Sequence, residues 1–438
     1  MALINPRTLS TISKMTNKKY CVIDLFCGCG GISRGFQRTG RYSIELGVEI
    51  EPHPIKAFAA NMRNYANQPP VTYVGDIRKL VGPEAVDDLW EWVKRTFVQK
   101  PGELDVLVGG PPCQGFSRNG VRQYVEDAEL RFYDDPRNHL YRAFLDTIAE
   151  LQPKVVLIEN VREFLNFGGG KFSDDLLEKL DEMGYVADYR KICAADYGVP
   201  QVRHRVLFVA VRRDFADIEV SELPFPEPTH RKGSAQFDLI GDTTYRTVRD
   251  AIADLPPPVF EHKTTLTYPA SGSVSTYADL VRSQTGEVRN HVARKLSAMS
   301  TARINAVGTG RMKHAPENLQ TRSFYGSAYR RLAWDEPSLT ITTWVYHVGS
   351  GRFAHPQEDR CVTMREAARL QGFDDDFIFP DLINPVSQMI GNAVPPLLAQ
   401  AFAESFEKFL DRHCQTKMII QKACSKHATM QEEAVTIL

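Results

Sequence analysis

Cys21-Val22-Ile23-Asp24-Leu25-Phe26-Cys27-Gly28-Cys29-Gly30-Gly31 is the stretch on which the fold turns. Cys21 to Leu25 is a short apolar run of strand character. The glycines after it let the backbone turn tightly, approach a bound molecule closely and expose the N-terminal amides of a following helix, here expected over Ile32 to Arg38 with Gly35 inside it. A dinucleotide fingerprint asks for a third glycine at position 33, where this chain has Ser33, so a nicotinamide or flavin enzyme is disfavoured. Taken alone, the turn also admits a plain strand-to-helix connection, the lesser of the two readings.

Outward from it the same alternation continues to Ala210. Further strands are expected over Ser43 to Glu49, Val71 to Val74, Asp105 to Val108, Val155 to Ile158 and Val206 to Val211. Helices fall between them over Pro54 to Asn61, Ala85 to Phe97, His139 to Leu151 and Asp174 to Glu182. The pattern predicts a doubly wound α/β domain with a parallel sheet over 20–222. From Leu223 the texture changes. Pro224, Pro226, Pro228 and then Pro256, Pro257 and Pro258 break regular elements, which predicts a second, smaller, irregular domain over 223–331. Regular texture returns with a strand over Leu339 to Trp344 and a helix over Met364 to Leu370, so 332–412 is expected to rejoin the first domain. Residues 1–19 and 413–438 read as loosely ordered ends.

The 438 residues suit two cores rather than one. Hydrophobic residues at 43% and charged residues at 24% are ordinary for a soluble globular protein, and no apolar run is long enough for a bilayer. Met1 to Lys19 lacks a secretory pattern, so a cytoplasmic location is expected. The eight cysteines show no paired metal-ligand spacing, which leaves neither a disulfide framework nor a metal site supported. A net charge of −1 excludes a protein basic all over, yet Glu287 to Arg331 holds nine basic residues (Arg289, Arg294, Lys295, Arg303, Arg311, Lys313, Arg322, Arg330, Arg331) against Glu287 and Glu317. Such a run is either a solvated face or a phosphate-binding surface.

Chemistry gathers at strand ends. Glu49 closes the second strand 21 residues after Gly28, where a carboxylate can accept from ribose hydroxyls, and Asp76 closes the third, where one can accept from an adenine amine. The fourth ends in Gly109-Gly110-Pro111-Pro112-Cys113-Gln114: the prolines stiffen the turn and the glycines allow close approach, a poor setting for a buried core cysteine and a good one for a presented thiol. The fifth ends in Glu159-Asn160-Val161, a carboxylate at the same sheet edge and able to bond a base. In Gln201-Val202-Arg203-His204-Arg205, strand alternation would turn both arginines one way, toward a carbonyl or phosphate.

In this order the motifs resemble the cytosine-5 DNA methyltransferases: Asp24 to Gly31 with Gly35, Glu49, Asp76, Pro111-Pro112-Cys113-Gln114, Glu159-Asn160-Val161, Gln201-x-Arg203-x-Arg205 and Gly391-Asn392-Ala393-Val394-Pro395-Pro396. The resemblance spans Tyr20 to Phe409. It implies a Rossmann-like fold that binds S-adenosylmethionine (AdoMet) without a metal, a C-terminal segment packed beside the first strand, and double-stranded DNA as partner. Phe26, Gly28 and Gly30 would surround AdoMet, with Glu49 on ribose, Asp76 on adenine and Asn392 near the methionine end. Cys113 would attack cytosine C6, Glu159 bond N3 and the exocyclic amine, and Arg203 bond O2 with Arg205 in support. The base would be flipped from the duplex, with Gly115 to about Asp135 closing over DNA and Ser117, Arg118 and Arg122 near its backbone or the vacated gap. About Leu223 to Arg331 would recognise sequence, Arg289, Arg311, Lys313 and Arg330 supplying phosphate contacts and Gly308, Gly310 and Gly326 suiting recognition loops. A monomer of prokaryotic type, cytoplasmic and nucleoid-associated, with or without a restriction endonuclease, completes the expectation. The alternatives are a tRNA methyltransferase of the same family, whose Cys-Phe-Thr tripeptide is absent, and a silent DNA-binding partner, against which intact Cys113, Glu159 and Arg203 argue.

Overall fold

Runs of apolar residues with both side-chain rows buried make strands that need cover on two faces, and the computed structural model is built this way. It describes residues 19–81, 91, 102–112, 140–166, 170–233, 243–260, 265–270, 272–321 and 326–414. A seven-stranded sheet has the order β3-β2-β1-β4-β5-β8-β6. Its strands are β1 (Tyr20–Leu25), β2 (Tyr42–Glu49), β3 (Val71–Val74), β4 (Val106–Gly109), β5 (Val155–Val161), β6 (Tyr185–Cys193) and β8 (His204–Arg212). The expected parallel sheet is mixed: β3 to β5 run parallel, whereas β8 lies antiparallel between β5 and β6. Sequence gave no sign of β6, an edge strand whose Asp188, Arg190 and Lys191 interrupt the apolar pattern.

Alternate residues fill two cores. Val22, Ile44, Val108 and Leu157 face one with Phe36 and Phe58, from α1 (Gly31–Arg38) and α2 (Pro52–Asn61), and with Phe402 and Phe406 of a helix over 396–414. Ile23, Leu46, Leu107 and Ile158 face the other, under α3 (Leu140–Leu151) and α4 (Lys171–Glu182). Of the helix expected over Ala85 to Phe97, only Glu91 is described; the expected N-terminal and C-terminal tails lie outside the described residues, apart from Lys19 and the helical turn to Cys414.

After Leu223 come short elements: α5 (Val248–Ile252), α6 (Thr276–Val281), α7 (Ala298–Val307) and the two-residue pair β9 (Leu266–Thr267) and β10 (Glu287–Val288). The strand expected over Leu339 to Trp344 shortens to β11 (Ser338–Leu339), parallel to β7 (Gln201–Val202), before the chain turns. The helix expected at Met364 forms as α8 (Met364–Leu370), capped by a reciprocal Thr363 and Glu366 box, and α9 (Ile383–Asn392) follows. Arg369 of α8 is fully buried and joined to Asp375 at 2.6 Å and to Asp254, while Arg34 of α1 grips Asp374 through Nε at 2.8 Å and a second nitrogen at 2.6 Å. Buried charges are tolerable only when paired in this way. Backbone bonds from Tyr329 to Val348 and from Leu332 to Ala354 tie 329–332 to 348–354, and Arg331 bonds back to Gly308.

Candidate active site

The order of strands reverses between β1 and β4, and a crevice outside the carboxyl ends at such a point is where open α/β sheets bind ligands. Registers align the ends: Leu25 pairs with Val48 and Gly109, Gly109 with Ile158, and Glu49 with Val74. Phe26, Gly110, Glu159, Glu49 and Gly75-Asp76 therefore emerge side by side. Phe26, Gly28 and Gly30 adopt left-handed φ of 55°, 53° and 94°, and a Cβ on Gly28 would meet nothing within 4 Å, so the turn faces open space. On the opposite side Gly31 leaves no room at all, since a Cβ there would stand 2.3 Å from the Val394 carbonyl. This close approach packs the C-terminal segment at Val394 against the start of α1.

Glu49 Oε2 accepts from the Gly28 amide at 2.9 Å, and Oε1 from Ile50 and Glu51 at 2.8 and 3.0 Å. Of roughly four lone-pair positions on a carboxylate, about one remains for a ribose hydroxyl. Asp76 caps the turn Ile77–Lys79 and pairs with Arg78 at 2.5 Å; the bond from Arg78 holds its carboxyl below the usual range. Exposed Ile50 and Val74 flank these two carboxylates, an apolar surface that motif reading had passed over. The open glycine turn, the carboxylates and the apolar flank fit a nucleoside-bearing methyl donor. Beneath them Asp24 is wholly buried, takes a 2.6 Å bond from Ser33 Oγ, and is pushed by burial up to about 7; its Oδ1 accepts nothing from the described residues. Ser33, which breaks the dinucleotide fingerprint, is thus the partner of the strand-end aspartate.

Glu159 leans over Gly110, where a Cβ would come within 3.0 Å of Oε2, and Asn160 donates to the Pro111 carbonyl at 3.4 Å. The proline turn is thereby fixed against β5 up to Pro112. Cys113 lies outside the described residues, as do Ser117, Arg118, Arg122 and Arg322. Burial pushes the thiols of Cys21, Cys27, Cys29, Cys193 and Cys361 up, Cys29 and Cys361 to about 12, so none of these five is a thiolate near neutrality.

The two arginines of the Gln-x-Arg-x-Arg segment do not face one way. The chain breaks between β7 and β8 at Arg203, so alternation does not carry through it. Arg205 Nε lies 2.7 Å from Glu159 Oε1, an ionic contact not aligned as a hydrogen bond, with both side chains mostly shielded. Arg203 is buried and donates to the carbonyls of Ile341 at 3.0 Å, Gly391 at 2.8 Å and Ala393 at 3.2 Å, while burial and then the Arg205 charge lower its pKa. The base contact expected of Arg203 does not suit a guanidinium so enclosed. Its bonds instead pin the backbone on both sides of Asn392, whose side chain is exposed. Gln201, which motif reading quoted without a role, is buried and bonds the Ile341 amide at 2.9 Å and Gln371 at 2.5 Å.

Of the expected phosphate contacts, Arg289 pairs with Glu287 at 2.6 Å and Arg330 donates to the Thr309 carbonyl at 2.7 Å; Arg311 and Lys313 stand exposed. Among the described residues no group of His, Cys, Asp and Glu could hold a metal, and no helix is long and apolar enough to cross a membrane.

A glycine turn, two strand-end carboxylates and a Glu–Arg pair gathered at the sheet's switch point suit a Rossmann-like methyltransferase. The chain belongs to the C-5 cytosine-specific DNA methylases, whose family pattern matches residues 20–408. It is 34% identical to the type II methyltransferase M1.HphI of Haemophilus parahaemolyticus, over 89% of this chain and 88% of that one. It is 30% identical to M.AgeI of Thalassovita gelatinovora, over 88% and 98%. Among solved structures, a prophage-encoded E. coli protein assigned as a DNA modification methyltransferase matches with a TM-score of 0.65 at 25% identity, covering 90% of this chain and all of that one.

Proposed function

We propose that the crevice at the β1–β4 edge methylates carbon 5 of a cytosine extruded from duplex DNA, with Cys113 as nucleophile and Glu159 and Arg205 holding the base. The observation that carries this reading is the Glu159–Arg205 pair set over the Gly110-Pro111-Pro112 turn that leads into Cys113. Cytosine C5 is a poor nucleophile until a thiolate adds at C6. Attack by Cys113 forms a sulfur–C6 bond and moves electron density toward C5 and N3. Glu159 accepts from the exocyclic amine and holds a proton at N3, and Arg205, rather than Arg203, donates to O2. AdoMet, when bound, supplies an electrophilic methyl group to C5. A water molecule then takes the C5 proton, the C5–H electron pair re-forms the C5–C6 double bond, and the sulfur–C6 bond breaks to restore the thiolate.

Phe26, Gly28 and Gly30 would shape the AdoMet site, with Glu49 on ribose, Asp76 on adenine between Ile50 and Val74, and Asn392 at the methionine end, its backbone held by Arg203. Residues 223–331 would read sequence, with Arg311 and Lys313 on phosphates and Ser117 and Arg118 near the DNA backbone or the gap left by the flipped base; Arg289 and Arg330 would first have to leave their present partners. A monomer acting in the cytoplasm on nucleoid DNA, alongside a restriction endonuclease, fits the type II names of the relatives. The test is labelled methyl transfer from AdoMet to duplex DNA and, separately, to tRNA, with digestion to nucleosides. Label in 5-methylcytosine from DNA supports the reading; label in tRNA alone overturns the substrate.

A further inference from the structure

We infer that the C-terminal segment Lys417 to Lys422 docks, as a strap from the same chain, into a cleft at the open edge of the central sheet, remote from the crevice. β6 has a strand neighbour on one side only, β8. At its start, where Tyr185 pairs with Arg212 and Val186 with Val211, a cleft of 330 Å³ opens between α4, β6 and the chain that follows β8. Val211 is also the partner of Val155 at the start of β5, so this is the edge where the parallel strands begin, opposite the edge where Glu49 and Glu159 emerge. The cleft cuts into the seam of the two cores: Val186 and Ile218 belong to one, while Leu177 and Ala187 pack against the other. Val220 lines it as well and is 50% exposed. An apolar seam along a free strand edge is a surface that folded proteins cover or blunt.

The rim of the cleft is acidic. Glu178, Asp181 and Glu219 line it against one cation, Arg213, which is paired with Asp181. A fitting occupant therefore carries apolar side chains between positive charges, and the chain supplies one nearby. The helix over 396–414 brings the His413 ring to 6.2 Å from that of Phe215, which stands three residues before Ile218. Burial and then the Arg412 charge lower the His413 pKa against the Glu222 charge, and Glu222 forms a reciprocal capping box with Glu219 of the cleft. From Cys414 the sequence runs Gln415-Thr416-Lys417-Met418-Ile419-Ile420-Gln421-Lys422, with no acidic residue before Glu432. Four residues of chain from Cys414 to Met418 reach at most about 14 Å, and three from Phe215 to Ile218 at most about 11 Å. Met418, Ile419 and Ile420 can thus lie on the apolar floor, with Lys417 and Lys422 toward Glu178 and Glu219.

The test uses the full-length chain with benzoylphenylalanine in place of Ile419, irradiated at low protein concentration, digested and mapped by mass spectrometry, with thermal unfolding as the check on folding. Crosslinks within one chain to the peptides that hold Leu177, Val186 or Ile218 are expected. Glu178→Lys combined with Glu219→Lys should cut their yield by about 2- to 30-fold, the worth of two exposed ion pairs, and adding Lys417→Glu and Lys422→Glu to that variant should restore it. Absence of crosslinks to these peptides in the chain with native charges overturns the inference. So does a crosslink that joins two chains, which would make a second copy the occupant. An unchanged yield after charge reversal, or a yield that the charge swap does not restore, overturns it too.

Discussion

Arg205 Nε and Glu159 Oε1 stand 2.7 Å apart across the antiparallel pairing of β8 with β5, where Val161 is the register partner of Arg205 and Leu207 that of Glu159. The reversed direction of β8 is what brings its beginning to the edge where β5 ends. Glu159→Gln should lower the methyl-transfer rate by about 10²- to 10⁴-fold, the range for removing a proton-handling group. Arg205→Ala should lower it by about 10²- to 10³-fold, as for loss of one donor to developing charge. Because the two side chains touch, the double variant should lose less than the product of the single effects in single-turnover rates.

Arg203 should behave differently. Its removal leaves the buried carbonyls of Ile341 and Gly391 without their donor, Ala393 keeping the bond from Gln371, and opens a cavity, a loss of about 3 kcal/mol or more. Arg203→Ala is expected to shift the urea unfolding midpoint down clearly, while Arg205→Ala leaves it near wild type. Equal midpoints for the two variants would contradict the structural role of Arg203.

Glu49 accepts three backbone amides at the crevice, so Glu49→Ala removes the proposed ribose acceptor and loosens the glycine turn together. The KM for AdoMet should rise by about 10- to 150-fold, the effect of a charged hydrogen bond, with the KM for DNA little changed.

Asp24 gives a pH signature. Burial raises its folded-state pKa to about 7, above the ordinary aspartate value, so the folded state keeps a proton that the unfolded chain has released. Its contribution to stability is fully present below about pH 4 and is lost as pH rises through about 7, a decline on the order of 4 kcal/mol. Asp24→Asn keeps a partner for Ser33 Oγ and should flatten the stability profile between those limits; parallel profiles for variant and wild type would count against it.

The strand ends were legible because parallel strands buried on both faces make short apolar runs, and each run stops where a glycine or carboxylate begins the site. Strand β6 was not, since Asp188, Arg190 and Lys191 at the sheet edge erase the apolar signal. Helix α9 hides behind Pro385 in its first turn and Gly391 near its end, neither of which promises a helix interior. The different placements of Arg203 and Arg205 were beyond sequence because a two-residue strand paired with Ser338–Leu339 ends just before Arg203, a pairing between residues more than a hundred positions apart. The basic run of 289–331 likewise gave no hint that Arg331 is spent on Asp359 and nearby carbonyls and Arg303 on the Leu319 carbonyl.

The central claim is covalent attack by Cys113 on cytosine C6, and the most direct measurement of it is trapping on duplex DNA in which 5-fluorocytosine replaces cytosine. Fluorine at C5 cannot leave as a proton does, so after methyl transfer the sulfur–C6 bond persists. With AdoMet present, wild type should give a denaturation-resistant protein–DNA adduct and Cys113→Ala none. An adduct undiminished in Cys113→Ala, or none in a wild-type enzyme that still forms 5-methylcytosine on ordinary DNA, would contradict the mechanism.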